Sequence, residues 1–398
     1  MKKSRFIYTL IILAVAASLM FVSCKSDDEE TVKIGLLHST TGSMAISEES
    51  VLNAELMAIA EINNAGGVLG RKIEVVQENG ESDAAVFAKK AEKLISEDNV
   101  VSIFGCWTSD SRKAVKTVVE DHYNLLWYPV QYEGMEASPN IIYVGACPNQ
   151  QVVPAVEYCV QNFGKRVYLI GSDYIFPQIA NKIIKAQLKD LGAECVGERY
   201  VPLGESQFIT ILDEIEQLNP DVIINTLNGD SNISFFTQFH NLGFDANDFP
   251  IMSFSIAENE IAQIGVQNCQ NQYVSWSYFE TVESSKNKKF VSTYREIYGK
   301  VKHVGDPVEA GYLAVYLWAA ACEKAGSFDI EDVRIASKGL SFIGPEGRVT
   351  IEGSNQHLNK FARIGRIKEN GQIEEIWASE ELVRPDPYLS TYAWARGL

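Results

Sequence analysis

The chain is 398 residues long, with 52 acidic against 35 basic residues, a formal net charge of −17 and 46% hydrophobic residues. That length exceeds one ordinary hydrophobic core and suits two domains. The acidic balance disfavours nucleic acid as a partner, because binding phosphates takes a basic surface.

Lys2, Lys3 and Arg5 open the chain, an uncharged apolar run from Phe6 to Met20 follows, and Phe21-Val22-Ser23-Cys24 ends it. A basic start, an apolar stretch short for a bilayer and small residues after it predict a secretory signal over residues 1–23. A thiol directly after Val22-Ser23 sits where exported lipoproteins are acylated, so Cys24 is expected to anchor the protein to a membrane. Residues 24–31, which contain the run Lys25-Ser26-Asp27-Asp28-Glu29-Glu30, read as a flexible tether. The expected location is the periplasmic side of a membrane, with the cell surface as the alternative. Beyond Cys24, Cys106, Cys147, Cys159, Cys195, Cys269 and Cys322 are scattered, with no Cys-x-x-Cys, and read as lone apolar side chains.

The body alternates strands and helices. Val32 to Leu37 is a short apolar strand, and Leu52, Leu56, Ile59 and Ala60 follow at helical spacing. Lys72 to Val76 is a strand, Phe87, Ala91, Leu94 and Ile95 mark a helix, and Asp83 is placed to cap it. Asn99 to Gly105 is a strand, Ser109 to Glu120 a helix and Asn124 to Tyr128 a strand. After Pro148-Asn149-Gln150-Gln151 the rhythm restarts. Helices are expected over Pro154–Phe163, Pro177–Leu191, Phe208–Leu218 and Asn232–Asn241, and strands over Arg166–Gly171, Glu194–Val201, Asp221–Thr226 and Ile251–Phe254. Such alternation predicts βαβ units and parallel sheets covered on both faces, hence two doubly wound lobes. The last third adds helices over Asn287–Tyr298 and Asp306–Ala325 and small antiparallel strands over Arg348–Ile351, Ala362–Ile367 and Ile373–Trp377.

The sequence has no dinucleotide fingerprint, no Walker loop and no Gly-x-Ser-x-Gly elbow. The five histidines have no ligand-like spacing, so neither a metal nor a cofactor is expected. A hydrolase would need a metal cluster or an activated nucleophile, and the chain reads as a binder, not an enzyme. Ligands of open α/β sheets bind beyond the carboxyl ends of strands. Five segments lie there: His38 to Gly42, Cys106 to Ser109, Tyr128 to Tyr132, Ser172 to Phe176 and Leu227 to Ser231. They supply Trp107, Ser109, Tyr128, Gln131, Tyr174, Asn228 and Asp230 as candidate ligand residues, and none of them contains Arg or Lys. Ser109, Asp230 and Asp173 double as candidate helix caps or turn residues.

The same stretches carry a family resemblance. "GLLHSTTGSMAISE", "RKAV", "YPVQYEGMEASPNIIYVGACPNQQ", "GSDYIFP", "NTLNGDSN", "SFSIAENE", "NQHL" and "RPDPY" together resemble the urea-binding component of urea ABC transporters, from about Val32 to Tyr388. Short-chain-amide binders and the amide-sensing regulators of amidase operons are similar, and branched-chain amino-acid binding proteins more distantly so. The resemblance implies an α/β type I periplasmic-binding-protein fold, two doubly wound parallel-sheet lobes joined by a three-crossover hinge. Crossovers are expected near Pro148–Gln151, Val274–Phe279 and Gly344–Arg348. Residues 32–150 with 279–345 would form lobe 1, and residues 151–278 with 346–390 lobe 2. Carried over by position, the amide sensor's site matches Trp107, Ser109 and Tyr128 with the loop to Gln131, and Tyr174 from the other lobe. Trp107 stands where the sensor has a smaller aromatic, and Phe176 where it has a tyrosine. Val130 replaces the hydroxyl residue that amino-acid binders use for the carboxylate. Glu258 sits near their amino-group site, as a candidate acceptor for urea N–H groups or as only a hinge or cap residue. The implied function is capture of urea or a short-chain amide for ABC permease subunits by closure of the lobes. The alternatives are an amide sensor controlling a regulator and a branched-chain amino-acid binding protein.

Overall fold

The computed structural model describes residues 30–398, so the expected signal peptide and Cys24 lie outside the described residues. The first run comprises β1 (Thr31–His38), α1 (Ala45–Asn64), β2 (Lys72–Asn79), α2 (Ala84–Ser96), β3 (Ile103–Gly105), α3 (Ser109–Asp121), β4 (Leu126–Tyr128) and β5 (Ile141–Tyr143). Its five strands pair in parallel in the order β2-β1-β3-β4-β5. Period-two alternation sends side chains to two cores. Ile34, Leu36, Phe104 and Trp127 pack on one face, and Leu37, Ile103, Leu126 and Tyr128 on the other. Asp83 caps α2 as its position suggests, its carboxylate accepting the N–H groups of Ala85 and Val86 at 2.8 and 3.0 Å.

The second run comprises α4 (Val152–Asn162), β6 (Arg166–Ser172), α5 (Ile175–Asp190), β7 (Glu194–Val201), α6 (Ile209–Leu218), β8 (Val222–Thr226), α7 (Ser231–Asn241), β9 (Ile251–Ser253), α8 (Glu258–Ile264), α9 (Val266–Cys269) and β10 (Tyr273–Trp276). Then come α10 (Ser285–Tyr298), α11 (Asp306–Ala325), α12 (Ile330–Ser337), β11 (Ser341–Gly344), β12 (Gly347–Ile351), β13 (Leu358–Asn359), β14 (Arg363–Ile367) and β15 (Ile373–Ala378). The second sheet has seven strands in the order β15-β14-β10-β9-β8-β6-β7, with β14 and β15 joining antiparallel. Val167 and Leu169 face one of its cores, Tyr168 and Ile170 the other. The expected fold class is therefore present, two doubly wound lobes.

The third crossover is not at Gly344–Arg348. There β11 and β12 form a hairpin, and β12 pairs onward with β13. Val349, Ile351 and Leu358 are buried in the same core as Ile34 and Trp127, so residues 347–359 belong to the first lobe. The chain crosses only between Asn359 and Arg363, where β14 begins pairing with β10. Burial of three apolar side chains holds the hairpin back. Gln150 and Gln151 fasten the crossing segments together. Gln150 donates to the carbonyls of Leu358 and Val383 at 2.8 and 2.9 Å, and Gln151 to that of Ser275 at 2.6 Å. Beside them Lys360, fully buried, lies 3.0 Å from Glu346, with Asp306 and Glu309 also buried. The six cysteines within the described residues form no disulfide, and five of them are buried.

Candidate functional site

The five polar segments follow β1, β3, β4, β6 and β8, at the carboxyl ends of parallel strands from both sheets. The two lobes meet there. Trp107 of the first lobe donates its indole N–H to the Asn228 side-chain oxygen of the second at 3.3 Å. Gln131 donates to the carbonyl of Phe254 at 2.8 Å. Asp230 N–H donates to the carbonyl of Ser43 at 3.3 Å. Gly229 makes that last approach possible, because a Cβ on it would lie 2.4 Å from the Ser43 carbonyl oxygen and its φ is +61°.

Around these contacts the first lobe presents a buried polar wall. Thr108, not Ser109, caps α3, its hydroxyl accepting the N–H of Ser111 at 3.2 Å. That frees the Ser109 hydroxyl, which donates to Glu133 Oε2 at 2.5 Å. One turn on, Arg112 is completely buried. Its Nη1 donates to Ser109 at 3.0 Å, its Nη2 to Glu133 at 2.9 Å and its Nε to Glu136 at 3.0 Å. The guanidinium lies over the rings of Tyr128 and Tyr132, at 5.2 and 4.5 Å from their centroids. Against the burial that would raise it, Arg112, Lys113 and Lys116 hold the Glu136 carboxyl down to about 2. Tyr128 donates its hydroxyl to the Trp107 carbonyl at 2.6 Å. A stack continues inward: Tyr132 and Tyr143 centroids are 5.0 Å apart, and Tyr143 and His357 4.1 Å. Burial pushes His357 down to about 3, so it is neutral.

Tyr174 comes from the second lobe, immediately before α5, and is buried among Tyr128, Glu133, Asp110 and Arg112. Burial, then Tyr128, Glu133 and Asp110, raise its hydroxyl well above the ordinary tyrosine value against the opposing charge of Arg112. Asp110 faces the same junction, near the Ile175 backbone of the second lobe and Glu133 of the first.

The structure brings Trp107, Ser109, Tyr128, Gln131, Tyr174 and Asn228 to the junction, all buried. Three expected roles change. The Asn228 oxygen is taken up by Trp107, so it is a contact between lobes before it is an acceptor. Asp230 is exposed at the rim, lining an open cavity of about 690 Å³ with Glu49, Asn53, Asn259, Gln263 and Lys302. Glu258 is buried at the hinge, where its carboxylate accepts the Glu280 N–H at 2.7 Å. Burial and the Glu280 charge raise its carboxyl well above the usual range. His38 turns from the cleft to the acids of α1, 2.8 Å from Glu55. Despite burial, Glu55 and Glu48 hold it protonated up to about 9. A larger surface hollow of about 830 Å³, lined by Glu283, Lys288, Ser292, Arg295 and Lys300, lies on α10 away from the strand ends.

Two gaps in the sequence reading stand out. Arg112 and Glu133 lie just outside the five segments, so the wall is not free of cations. The signal was available: Arg112 is three residues after Ser109, on the same helix face. Polar side chains from two sheets here close on each other at strand ends, the position at which open α/β sheets bind ligands.

Residues 32–393 match the family described as periplasmic binding protein domain. The chain belongs to that family. Among curated proteins, Leu/Ile/Val-binding protein homolog 6 of Brucella melitensis is 20% identical over 88% of this chain and 89% of its own. Among solved structures, a solute-binding protein of an R. palustris ABC transporter in complex with 4-hydroxybenzoate superposes with a TM-score of 0.82. It is 22% identical, over 89% of this chain and 98% of that one. The branched-chain amino acid transporter substrate binding protein LivJ of Streptococcus pneumoniae, in complex with isoleucine, gives a TM-score of 0.78. Its identity is 23%, over 89% of this chain and 100% of that one. At such identities the solved structures speak for the fold. None of these three names urea, so membership in the periplasmic binding protein family is where the resemblance read from the sequence stands. Among the described residues no helix is long and apolar enough to cross a membrane.

Proposed function

We propose that this periplasmic binding protein captures a small neutral solute rich in N–H groups, urea or a short-chain amide, and delivers it to the permease of an ABC importer. One observation carries the reading. Among the described residues the one fully buried guanidinium at the lobe junction, that of Arg112, is paired with the carboxylates of Glu133 and Glu136 and also donates to Ser109. A ligand carboxylate would find no free cation there, and an unpaired buried charge is far more costly than an unpaired amide. Tyr128, Tyr174 and Trp107 supply flat apolar faces that exclude water from a planar ligand, and the backbone N–H groups at the start of α3 supply donors for its carbonyl.

The names of the relatives favour a second reading, a branched-chain amino acid. Calorimetric titration with urea, acetamide, formamide, leucine and 4-hydroxybenzoate separates the two. Binding of urea or a short amide with no heat from leucine or 4-hydroxybenzoate supports the neutral-solute reading, and leucine binding tighter than urea replaces it. Attachment through Cys24 is part of the proposal, with the periplasmic face as the site of action. Labelled lipid incorporated into the parent and lost in Cys24→Ala supports it, and membrane association unchanged in that variant overturns it.

A further inference from the structure

At the junction, the buried side-chain atoms of Gln131 and Asp110 that lack a hydrogen-bond partner are both acceptors. Gln131 is buried, its amide nitrogen donates to Phe254, and its Oε1 has no hydrogen-bond partner among the described residues. Oδ1 of Asp110 is likewise buried and without a partner, and Asp110 makes no ion pair among the described residues. Asp110 lies near Ile175 and Tyr174 of the second lobe and Glu133 of the first. The buried side-chain donor atoms nearby each already make a hydrogen bond: Arg112 to Glu133, Glu136 and Ser109, Ser109 to Glu133, Tyr128 to the Trp107 carbonyl, and Trp107 to Asn228. What remains unsatisfied is two acceptors, one of them a carboxylate. Each buried unpaired acceptor carries a desolvation cost, more for a charged one, that a ligand recovers by donating to it. Urea matches only in part, because it brings N–H groups but no charge to the Asp110 carboxylate. Guanidinium has the same flat shape, donates from all three nitrogens, accepts nowhere and supplies the charge that Asp110 lacks. Tyr174 and Tyr128 offer the ring faces on which a planar cation rests.

We infer that the cleft also takes planar guanidinium-class cations, with Asp110 as the residue that sets the choice between charged and neutral ligands through its unpartnered Oδ1, seconded by the Oε1 of Gln131. The inference rests on the same cleft being the solute site.

The test is calorimetric titration of the purified full-length protein with guanidinium chloride, urea and tetramethylammonium chloride, the last a cation without N–H groups. It is paired with the melting temperature at millimolar ligand. Guanidinium should bind at least as tightly as urea and raise the melting temperature, while tetramethylammonium does neither. In Asp110→Asn the ratio of guanidinium to urea affinity should fall at least tenfold. Urea binding without guanidinium binding overturns the inference and leaves the neutral-solute reading standing. Guanidinium binding without urea binding does the reverse. An unchanged ratio in Asp110→Asn overturns the role of Asp110, and a folded parent that binds neither ligand overturns both readings. Should Asp110→Asn fail to fold, the parent's discrimination between guanidinium and tetramethylammonium still decides whether N–H donation is what the cleft selects.

Discussion

The indole of Trp107 and the side-chain oxygen of Asn228, 3.3 Å apart, join the two lobes through one residue from each wall of the cleft. A hydrogen bond made only when the lobes are closed contributes to the closed form alone, and through it to solute affinity. Its net worth is about 0.5–1.5 kcal/mol. Asn228→Ala should therefore weaken urea binding about two- to tenfold. Small-angle scattering at saturating urea should show a radius of gyration equal to the parent's. At equal subsaturating urea the variant should be the larger. Identical affinities would remove this pair from the closure contacts.

Arg112 should matter far more for stability than any surface ion pair. It is completely buried with Glu133 and Glu136, and removing one partner of such a network leaves uncompensated charge, at about 3–5 kcal/mol. Arg112→Met should lower the melting temperature by several degrees and change its acid dependence. The Glu136 carboxyl is held at about 2 against an ordinary 4.5. A depressed carboxylate contributes stability present above pH 4.5 and lost as pH falls toward 2. The parent should thus lose melting temperature across that window, and Arg112→Met should lose less. Parallel pH profiles in scanning calorimetry would show that Lys113 and Lys116 alone set the Glu136 titration.

Arg112 also shows what the sequence makes legible. Strand ends located Trp107, Ser109, Tyr128 and Tyr174, because apolar runs ending in polar or aromatic residues mark the carboxyl edge of a sheet. "RKAV" is visible as a motif, yet Arg112 beside Lys113 in a polar helix reads as a solvated face. Its burial depends on Glu133 and Glu136, 21 and 24 residues further on. The same limit explains the third crossover. Pro345-Glu346-Gly347 looks like a linker, but it is the turn of a hairpin whose Val349 and Ile351 pack on a sheet formed some two hundred residues earlier. Likewise the sequence leaves Glu258 open between ligand acceptor and hinge or cap residue, and only its tie to the Glu280 backbone favours the hinge.

Lys360 gives the hinge its own electrostatic signature. It is fully buried, 3.0 Å from Glu346 and 3.2 Å from the Val144 carbonyl, near Asp306 and Glu309. Burial raises all three carboxyls, and Lys360 is the charge that opposes the rise. Lys360→Met should cost roughly 3 kcal/mol or more. Carboxyls with raised folded values stabilise the fold at low pH and lose that contribution as pH rises through them. The variant should consequently be most deficient near neutrality and nearer the parent at pH 4. Adding Glu346→Gln should recover much of the loss by removing the charge left alone. A deficit independent of pH, or no recovery in the double variant, would mean that Lys360 acts by packing its methylenes.

Tyr174 provides the sharpest test of the cleft. Its ring belongs to the second lobe by sequence and topology, but its neighbours Tyr128, Glu133, Asp110 and Arg112 belong to the first. It is 7% exposed, covered partly by second-lobe side chains such as Phe176 and partly where the lobes meet. Opening the lobes returns that apolar area to water, and a solute that holds them closed regains it. Truncation should therefore appear mainly in affinity. Tyr174→Ala should weaken urea or amide binding at least tenfold, about 1.4 kcal/mol, with a smaller effect on the melting temperature of the ligand-free protein. Tyr174→Phe keeps the covering face and loses only the hydroxyl, so it should retain most of the affinity. Titration calorimetry on the two variants separates the possibilities. Alanine binding as tightly as the parent removes Tyr174 from the site, whereas equal losses in alanine and phenylalanine move recognition from the ring to the hydroxyl.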